Sequence, residues 1–172
     1  MTVSPRAVGT ALHLGRFDSP VGVLGVLGGP AGLRACGWRL RAPTASPEPD
    51  PTVEQVVAEL AEYFAGGRRS FGVPVDLPPM SPATRAVLDA LCTIEYGETI
   101  TYGELARRSG TGLPARAIGS IMGANPVPVV IPCHRVVAGD GLGGYSGGEP
   151  GQELETKRRL LELEGALPPV LL

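Results

Sequence analysis

The feature that most constrains the fold of this chain is an apolar run that ends at a proline and is followed by a cysteine and a histidine. The run Val127–Ile131 predicts a strand, and Pro132, Cys133 and His134 come directly after it. Because adjacent residues on a strand point to opposite faces, Cys133 and His134 can act together only if the strand stops at Pro132. Proline suits the first position of a turn or short helix, where free backbone N–H groups favour a thiolate. The plainer alternative is a buried structural cysteine beside a hydrogen-bonded histidine.

The composition argues against several classes of protein. The chain has 172 residues, of which 43% are hydrophobic and 19% charged, so it can fold around a core. A formal net charge of −2 provides no overall positive field for nucleic acid, so DNA binding requires a local basic surface. Three cysteines without C-x-x-C spacing and two histidines predict neither a disulfide framework nor a metal site. Without a signal-like or membrane-spanning segment, we expect a cytoplasmic protein and no membrane partner.

The first half of the chain has a strand-and-helix pattern but no cluster of chemically reactive residues. Residues 11–40 predict short strands broken by glycine. Apolar residues at helical spacing follow Thr52, which we predict as the helix N-cap, with Gln55 closing a capping box. His13 is the only imidazole in this half, and nothing near it in the sequence suggests a ligand or a base.

A proline-rich stretch, residues 76–82, separates this half from the next and lacks periodicity. After it, Ser81 and Pro82 predict the cap and first residue of a helix. We therefore predict an α/β (α+β) protein of two domains. Residues 1–79 would form a small antiparallel sheet with a helix, and residues 80–172 a mostly helical domain.

The second half contains two predicted helices joined by a glycine turn. We predict that Thr101 and Glu104 form a capping box at the start of the first helix. Gly110–Gly112 would end that helix in a tight turn, and Pro114 would begin the next one. This pattern predicts a helix-turn-helix, although a helical hairpin that serves only packing has the same pattern. From residue 100 to residue 135 there is a local excess of three positive charges. It comes from one acid, Glu104, against Arg107, Arg108, Arg116 and Arg135.

Two further segments contribute candidate site residues. Residues 139–148 contain six glycines around Tyr145 and Ser146, so backbone N–H groups can approach a ligand closely, but they match no dinucleotide or P-loop pattern. The last predicted helix, residues 152–164, places Glu164 beside its apolar stripe. This carboxylate is either a flank residue in solvent or a buried acid that needs a partner, and His134 is the obvious one.

A thiolate, a base and an acid that orients the base make an activated nucleophile, which two classes of enzyme use. A cysteine hydrolase attacks a carbonyl and then needs water and oxyanion donors. An alkyl acceptor attacks a saturated carbon and stops there, because a thioether does not hydrolyse. The predicted helix-turn-helix with its arginines favours the second class, with a nucleic acid carrying the alkyl group.

A set of motifs in this half resembles the O6-alkylguanine-DNA alkyltransferase family over about residues 80–166. The motifs are Tyr96-Gly-Glu-Thr-Ile-Thr-Tyr102, Ala115-Arg-Ala-Ile-Gly119, Asn125-Pro-Val-Pro128, Ile131-Pro-Cys-His-Arg-Val-Val137, Tyr145-Ser-Gly-Gly148 and Leu161-Glu-Leu-Glu-Gly165. The resemblance implies a ribonuclease H-like N-terminal domain and a winged-helix-like C-terminal domain. It also implies stoichiometric, irreversible repair of double-stranded DNA containing O6-alkylguanine, with O4-alkylthymine as a second candidate substrate. It implies no cofactor and no metal, and a monomer.

The resemblance assigns a role to each catalytic candidate. Cys133 would take the alkyl group, His134 would draw off its proton through a water molecule, and Glu164 would support His134. Tyr102 would donate a hydrogen bond to N3 of the guanine, and Asn125 would brace the helix-turn-helix against the segment of the nucleophile. The pocket for the extruded base would be lined by Tyr145 and Ser146.

The resemblance also assigns a DNA-binding set. Arg116 would be the finger that fills the gap left by the extruded base. The remaining residues of the set are Ala115, Ala117, Gly119, Thr101 and Arg135. An alternative on the same scaffold is a non-enzymatic sensor of alkylated DNA, but those relatives lack the cysteine that this chain has at position 133.

Overall fold

The structure, a computed structural model, describes residues 11–169. The N-terminal part is a three-stranded antiparallel sheet in the order β1-β2-β3 with one helix, α1, packed on it. Its elements are β1 (His13–Ser19), β2 (Gly22–Gly29), β3 (Gly32–Trp38) and α1 (Pro51–Phe64). The predicted α/β class with a small antiparallel sheet is therefore confirmed.

Helix α1 begins two residues earlier than predicted, because Asp50 and not Thr52 is its N-cap. The Asp50 carboxylate accepts hydrogen bonds from the backbone N–H groups of Thr52 and Val53, at 2.9 and 3.2 Å. Pro51 occupies the first helical position, where its missing N–H costs nothing. The predicted capping box is wrong, and Gln55 instead donates a hydrogen bond to Glu59 one turn later.

The C-terminal part consists of four α-helices and a two-residue parallel strand pair. Its elements are α2 (Pro82–Leu91), β4 (Ile100–Thr101), α3 (Tyr102–Ser109), α4 (Ala115–Gly123), a 3₁₀ turn (Cys133–Arg135), β5 (Val136–Val137) and α5 (Glu153–Leu163). Ser81 and Thr101 cap α2 and α3 as predicted, each accepting from the backbone N–H three residues on. Only this half of the capping box predicted at Thr101 forms, because the Glu104 carboxylate bonds to Arg107 and Arg108 instead. Gly110, at φ 62°, ends α3 in the left-handed region, and α3 packs against α4 as a helix-turn-helix requires.

The strand predicted for Val127–Ile131 does not form. The segment folds into a turn that is closed by a hydrogen bond of 2.9 Å from the Ile131 N–H to the Val127 carbonyl. Val129 lies at φ 74°, outside strand geometry. Prolines at positions 126 and 128 provide no N–H groups for a ladder, which explains why an apolar run here becomes a turn.

The two parts of the chain share one core and meet directly behind the nucleophile segment. The Cys36 N–H on β3 donates to the Pro126 carbonyl at 2.9 Å. The ring of Trp38 packs edge-on against Tyr145, with 6.4 Å between the ring centroids. The N-terminal sheet therefore forms one wall of the region around Cys133.

Candidate active site

Cys133 is the first residue of the 3₁₀ turn that follows Pro132, as the sequence predicts. Its side chain is buried, with 6% of the residue exposed. Burial raises the pKa of the Cys133 thiol and outweighs the Asn125 side chain, the Lys157 ammonium and two backbone N–H groups, which lower it. The expected preference for a thiolate is therefore wrong for the resting protein, and ionisation needs a base.

His134 is fully buried next to this thiol in the sequence and has one strong partner. Its Nε2 lies 2.8 Å from Oε1 of Glu164, which confirms the second of the two alternatives for that acid. Burial lowers the pKa of His134 more than Glu164 raises it, so the ring is neutral. With Nε2 donating to the carboxylate, Nδ1 carries the free lone pair, and it has no hydrogen-bond partner among the described residues. Such a buried, unpartnered nitrogen can accept a proton.

Glu164 ends α5 and accepts hydrogen bonds from helix α1 and from the 3₁₀ turn that contains Cys133. Its carboxylate accepts from Tyr63 Oη at 2.7 Å and from Arg135 Nε and Nη2 at 2.8 and 2.9 Å, besides His134. Burial alone would raise the pKa of Glu164, but these donors outweigh it and lower the pKa from 4.5 to about 2. The carboxylate is therefore fixed in position and ionised.

Lys157, the only lysine of the chain, is buried beside the site, and no motif in the sequence indicates it. Its Nζ donates to the carbonyls of Val136 at 2.6 Å and Gly144 at 2.8 Å. Burial lowers its pKa to about 8, against the opposing effect of Cys133. The ammonium thus ties α5 to the glycine-rich loop and places a positive charge near the thiol.

A cavity of about 280 Å³ opens beside Cys133, close to the lower end of the usual size for small-molecule sites, ~300 Å³. The predicted residues Tyr102, Tyr145, Ser146 and Gly119 line it together with Cys133. The helix α4 and the glycine-rich loop form its two sides.

Contacts with backbone carbonyls hold the residues around this cavity. Tyr102 Oη lies 3.4 Å from the Gly144 carbonyl, and Ser146 Oγ donates to Gly123 at 3.2 Å. Gly143, at φ 72°, lies against the Tyr102 ring, where a Cβ would be only 3.0 Å away. Asn125 donates to the Ile131 carbonyl at 2.8 Å and accepts from the Val127 N–H at 3.0 Å, so it joins the end of α4 to the nucleophile segment.

Comparisons with known proteins identify the family of this chain. The family model described as "6-O-methylguanine DNA methyltransferase, DNA binding domain" matches residues 82–166, and that of the "ribonuclease-like domain" of the same protein matches residues 12–77. The chain belongs to the 6-O-methylguanine DNA methyltransferase family. It is accordingly an enzyme of DNA repair with DNA as its partner, as the resemblance of its motifs implied.

Individual family members resemble it over most of their length. A methylated-DNA–protein-cysteine methyltransferase of Mycobacterium tuberculosis is 39% identical over 165 residues, covering 92% of this chain and 95% of the relative. One from Methanosarcina acetivorans is 35% identical, covering 87% of this chain and 96% of the relative. The crystal structure of M. tuberculosis OGT in complex with DNA matches with a TM-score of 0.79 at 37% identity, covering 90% of this chain and 93% of that one.

The arginines of residues 100–135, which the sequence predicts as a basic surface, have different environments in the structure. Arg116 is exposed on the first turn of α4 and forms no ion pair among residues 11–169. Arg107 and Arg108 are bridged to Glu104, and Arg108 also to Glu98. Glu104 is already counted in the local excess, so among these pairs only Glu98, which lies outside residues 100–135, reduces it further.

Arg135, which was predicted to contact DNA, is buried in the protein. It is 7% exposed, and besides its two bonds to Glu164 it donates from Nη1 to the Ile94 carbonyl at 2.6 Å. Its predicted contact with DNA is wrong, because all three guanidinium nitrogens are bonded inside the protein.

The other predicted DNA-binding positions lie on or next to α4. Ala115 is exposed, Ala117 and Gly119 are partly buried, and Gly119 borders the cavity. Thr101 is exposed and caps α3 through its hydroxyl. Helix α4 therefore has an outer face of small side chains and a second face toward Cys133.

No metal-binding cluster of three or more histidine, cysteine, aspartate or glutamate residues occurs between residues 11 and 169. In the same part of the chain, no helix combines the length and apolar character needed to cross a membrane.

We expect the free energy of unfolding to fall at acid pH as the Glu164 carboxylate becomes protonated. Its pKa in the folded state, about 2, lies below the ordinary 4.5, so its contribution to stability is complete above about pH 4.5 and is lost as the pH falls toward 2. We expect the unfolding free energies of the wild type and of Glu164→Gln, measured with urea, to converge over this range. A constant difference between the two would contradict the assignment.

Proposed function

We propose that this enzyme transfers the alkyl group from O6 of guanine in DNA to the sulfur of Cys133. The observation that carries the proposal is the position of Cys133, whose thiol borders a cavity shared with α4, the helix that presents Arg116. The sulfur attacks the alkyl carbon in line, the S–C bond forms, and the C–O6 bond breaks. The thiol proton goes to Nδ1 of His134, directly or through one water molecule. The departing guanine anion takes a proton from water, and the His134 imidazolium returns its proton to the solvent.

The surrounding groups support each part of this transfer. Glu164, ionised and fixed by its donors, stabilises the imidazolium that forms on His134. The Lys157 ammonium favours the thiolate. The Tyr102 hydroxyl lies on the cavity wall, where it can donate a hydrogen bond to N3 of the bound guanine. Because the thioether does not hydrolyse, each molecule reacts once.

The guanine must leave the base stack to reach a buried thiol, which costs a few kcal/mol. The small side chains of Ala115, Ala117 and Gly119 allow α4 to lie close to the DNA, and Arg116 fills the space that the extruded base leaves. Most of the binding is then to phosphates, so it is salt-dependent and largely independent of sequence.

The direct test is to incubate the protein with duplex DNA containing O6-methylguanine and to measure the mass of the intact protein and its peptides. We expect one added methyl group per molecule, on the Cys133 peptide. Tight binding without a mass change would indicate a lesion sensor, and turnover of an ester or amide would indicate a hydrolase. A parallel duplex with O4-methylthymine tests that second substrate.

Arg116→Ala should weaken repair of duplex DNA by about tenfold or more, while the reaction with free O6-benzylguanine stays within about twofold. The reason is that the free base needs no extrusion. The second-order rate constants of Cys133 alkylation with the two substrates give the comparison. Equal losses with both substrates would remove the finger role.

The proposal also includes the cellular location and the oligomeric state of the protein. The cysteines at positions 36, 92 and 133 are all free, which suits a reducing compartment such as the cytoplasm. We propose that the protein acts as a monomer, since one chain contains the nucleophile, the base, the acid and the α4 surface. The division into domains at residues 79 and 80 stays a prediction.

A further inference from the structure

We propose that Tyr63, on the N-terminal helix α1, is a positioning residue for alkyl transfer: its hydroxyl fixes the Glu164 carboxylate and limits how strongly that carboxylate attracts the proton of His134. The inference rests on the proposed function, and it gives the N-terminal part of the chain a direct connection to the chemistry. Neither the motifs nor the sequence spacing pointed to Tyr63.

The contact is short, buried and distant in sequence. Tyr63 Oη donates to Glu164 Oε1 at 2.7 Å, across 101 residues of chain. Both residues are buried, with 0% and 5% of their surface exposed. The acceptor is the same oxygen that lies 2.8 Å from His134 Nε2. The phenol and the imidazole therefore compete for one carboxylate oxygen.

The orientation of the hydroxyl is fixed by the aromatic rings around it. Phe64 and Tyr96 pack edge-on against the Tyr63 ring at centroid distances of 5.1 and 6.2 Å, and Phe71 packs at 5.6 Å. A ring held on several sides cannot swing its hydroxyl away from the carboxylate. Burial, with the charge of Glu164, also raises the pKa of Tyr63, so the hydroxyl keeps its proton and stays a donor.

The charged and titratable groups around Tyr63 and Glu164 determine whether the Tyr63 hydroxyl raises or lowers the pKa of His134. Arg135 donates two hydrogen bonds to Glu164, and the charge of Glu164 is among the causes that raise the pKa of Tyr96, after burial. Arg135 and Lys157 both oppose a positive charge on His134, whereas Glu164 favours it. The hydrogen bond from the Tyr63 hydroxyl weakens the attraction of the Glu164 carboxylate for a proton on His134. Its effect on the His134 pKa therefore has the same direction as that of Arg135 and Lys157. It keeps His134 neutral and ready to accept the Cys133 proton.

The test compares Tyr63→Phe with Tyr96→Phe in the full-length protein. Both changes remove one phenol hydroxyl from the same aromatic cluster, but the Tyr96 hydroxyl donates to the Leu163 carbonyl and not to Glu164. We measure the rate of methyl transfer from duplex O6-methylguanine DNA as a function of pH. For Y63F we expect the acid limb to move up by about half a pH unit, so that the rate falls by about threefold at a pH on that limb and changes little on the plateau above it. For Y96F we expect neither change.

Several outcomes would overturn the inference. They are an unchanged pH profile in Y63F, equal shifts in both variants, or a lower rate with an unchanged midpoint, which is what a purely structural role predicts. Circular dichroism checks that Y63F is folded at the assay temperature. A fluorinated tyrosine at position 63 keeps the ring and makes the hydroxyl a stronger donor, so it should move the acid limb downward even if Y63F does not fold.

A probe that needs no DNA separates this inference from the proposed function. Iodoacetamide modifies thiolates, and peptide masses distinguish Cys133 from Cys36 and Cys92. We expect its rate at Cys133 to show the same upward shift of the acid limb in Y63F. Failure of the wild type to accept a methyl group would refute the proposed function alone. A superimposable iodoacetamide profile for Y63F and wild type would refute the role of Tyr63 alone.

Discussion

Cys133→Ala should abolish methyl transfer, with a loss of at least about 10³-fold in rate, while duplex DNA still binds. The sulfur is the group that forms the new bond, and no other described residue with a thiol lies in the cavity between α4 and the glycine-rich loop. The side chain is small and buried, so its truncation leaves the exposed face of α4 unchanged. Intact-protein mass after incubation with O6-methylguanine duplex measures transfer, and fluorescence anisotropy of the same duplex measures binding.

The matched control is Cys92→Ala. Cys92 is a free, exposed cysteine at the end of α2, and it should be dispensable, with transfer within about twofold of the wild type. A methyl group found on Cys36 or Cys92 of the Cys133→Ala protein would show that the acceptor has been misassigned. A loss of DNA binding as large as the loss of transfer would show that Cys133 supports the fold of the interface.

Local features of the fold could be predicted from the sequence because local interactions decide them. Ser81 and Thr101 cap their helices through the backbone N–H three residues on, and a glycine ends α3. The 3₁₀ turn after Pro132 follows from the geometry of proline. At α1 the same logic failed, since Asp50 is also a good N-cap residue and Pro51 made it the better choice.

The supporting groups of the site could not be predicted, because their partners come from distant parts of the chain. The sequence left Glu164 with two alternatives, solvent or a buried contact with His134. It gave no indication that Tyr63 and Arg135 would complete the coordination of the carboxylate, or that Lys157 would be buried under the glycine-rich loop. Charged residues are rarely buried, so a lone arginine or lysine in a sequence is assigned to the surface by default. Arg135 and Lys157 are buried here because α1 and α5 pack around the nucleophile segment, and the sequence does not show that packing.

The second large effect is expected at Arg135. Arg135→Met should lower the free energy of unfolding by about 3–5 kcal/mol, because it leaves the Glu164 carboxylate buried with its cation removed. The change also leaves the Ile94 carbonyl without its donor. Urea unfolding followed by circular dichroism at neutral pH measures the loss.

Arg116→Met is the matched control, since it makes the same substitution at an exposed arginine. Its stability should stay within about 0.5 kcal/mol of the wild type, while its transfer from duplex DNA falls as for Arg116→Ala. Folded Arg135→Met should instead bind duplex DNA within about twofold of the wild type, because only 7% of Arg135 is exposed and its guanidinium nitrogens are bonded within the protein. The opposite pattern, normal stability with weakened DNA binding at Arg135→Met, would restore Arg135 to the DNA surface. It would also show that the Glu164 carboxylate does not depend on Arg135 for its stability.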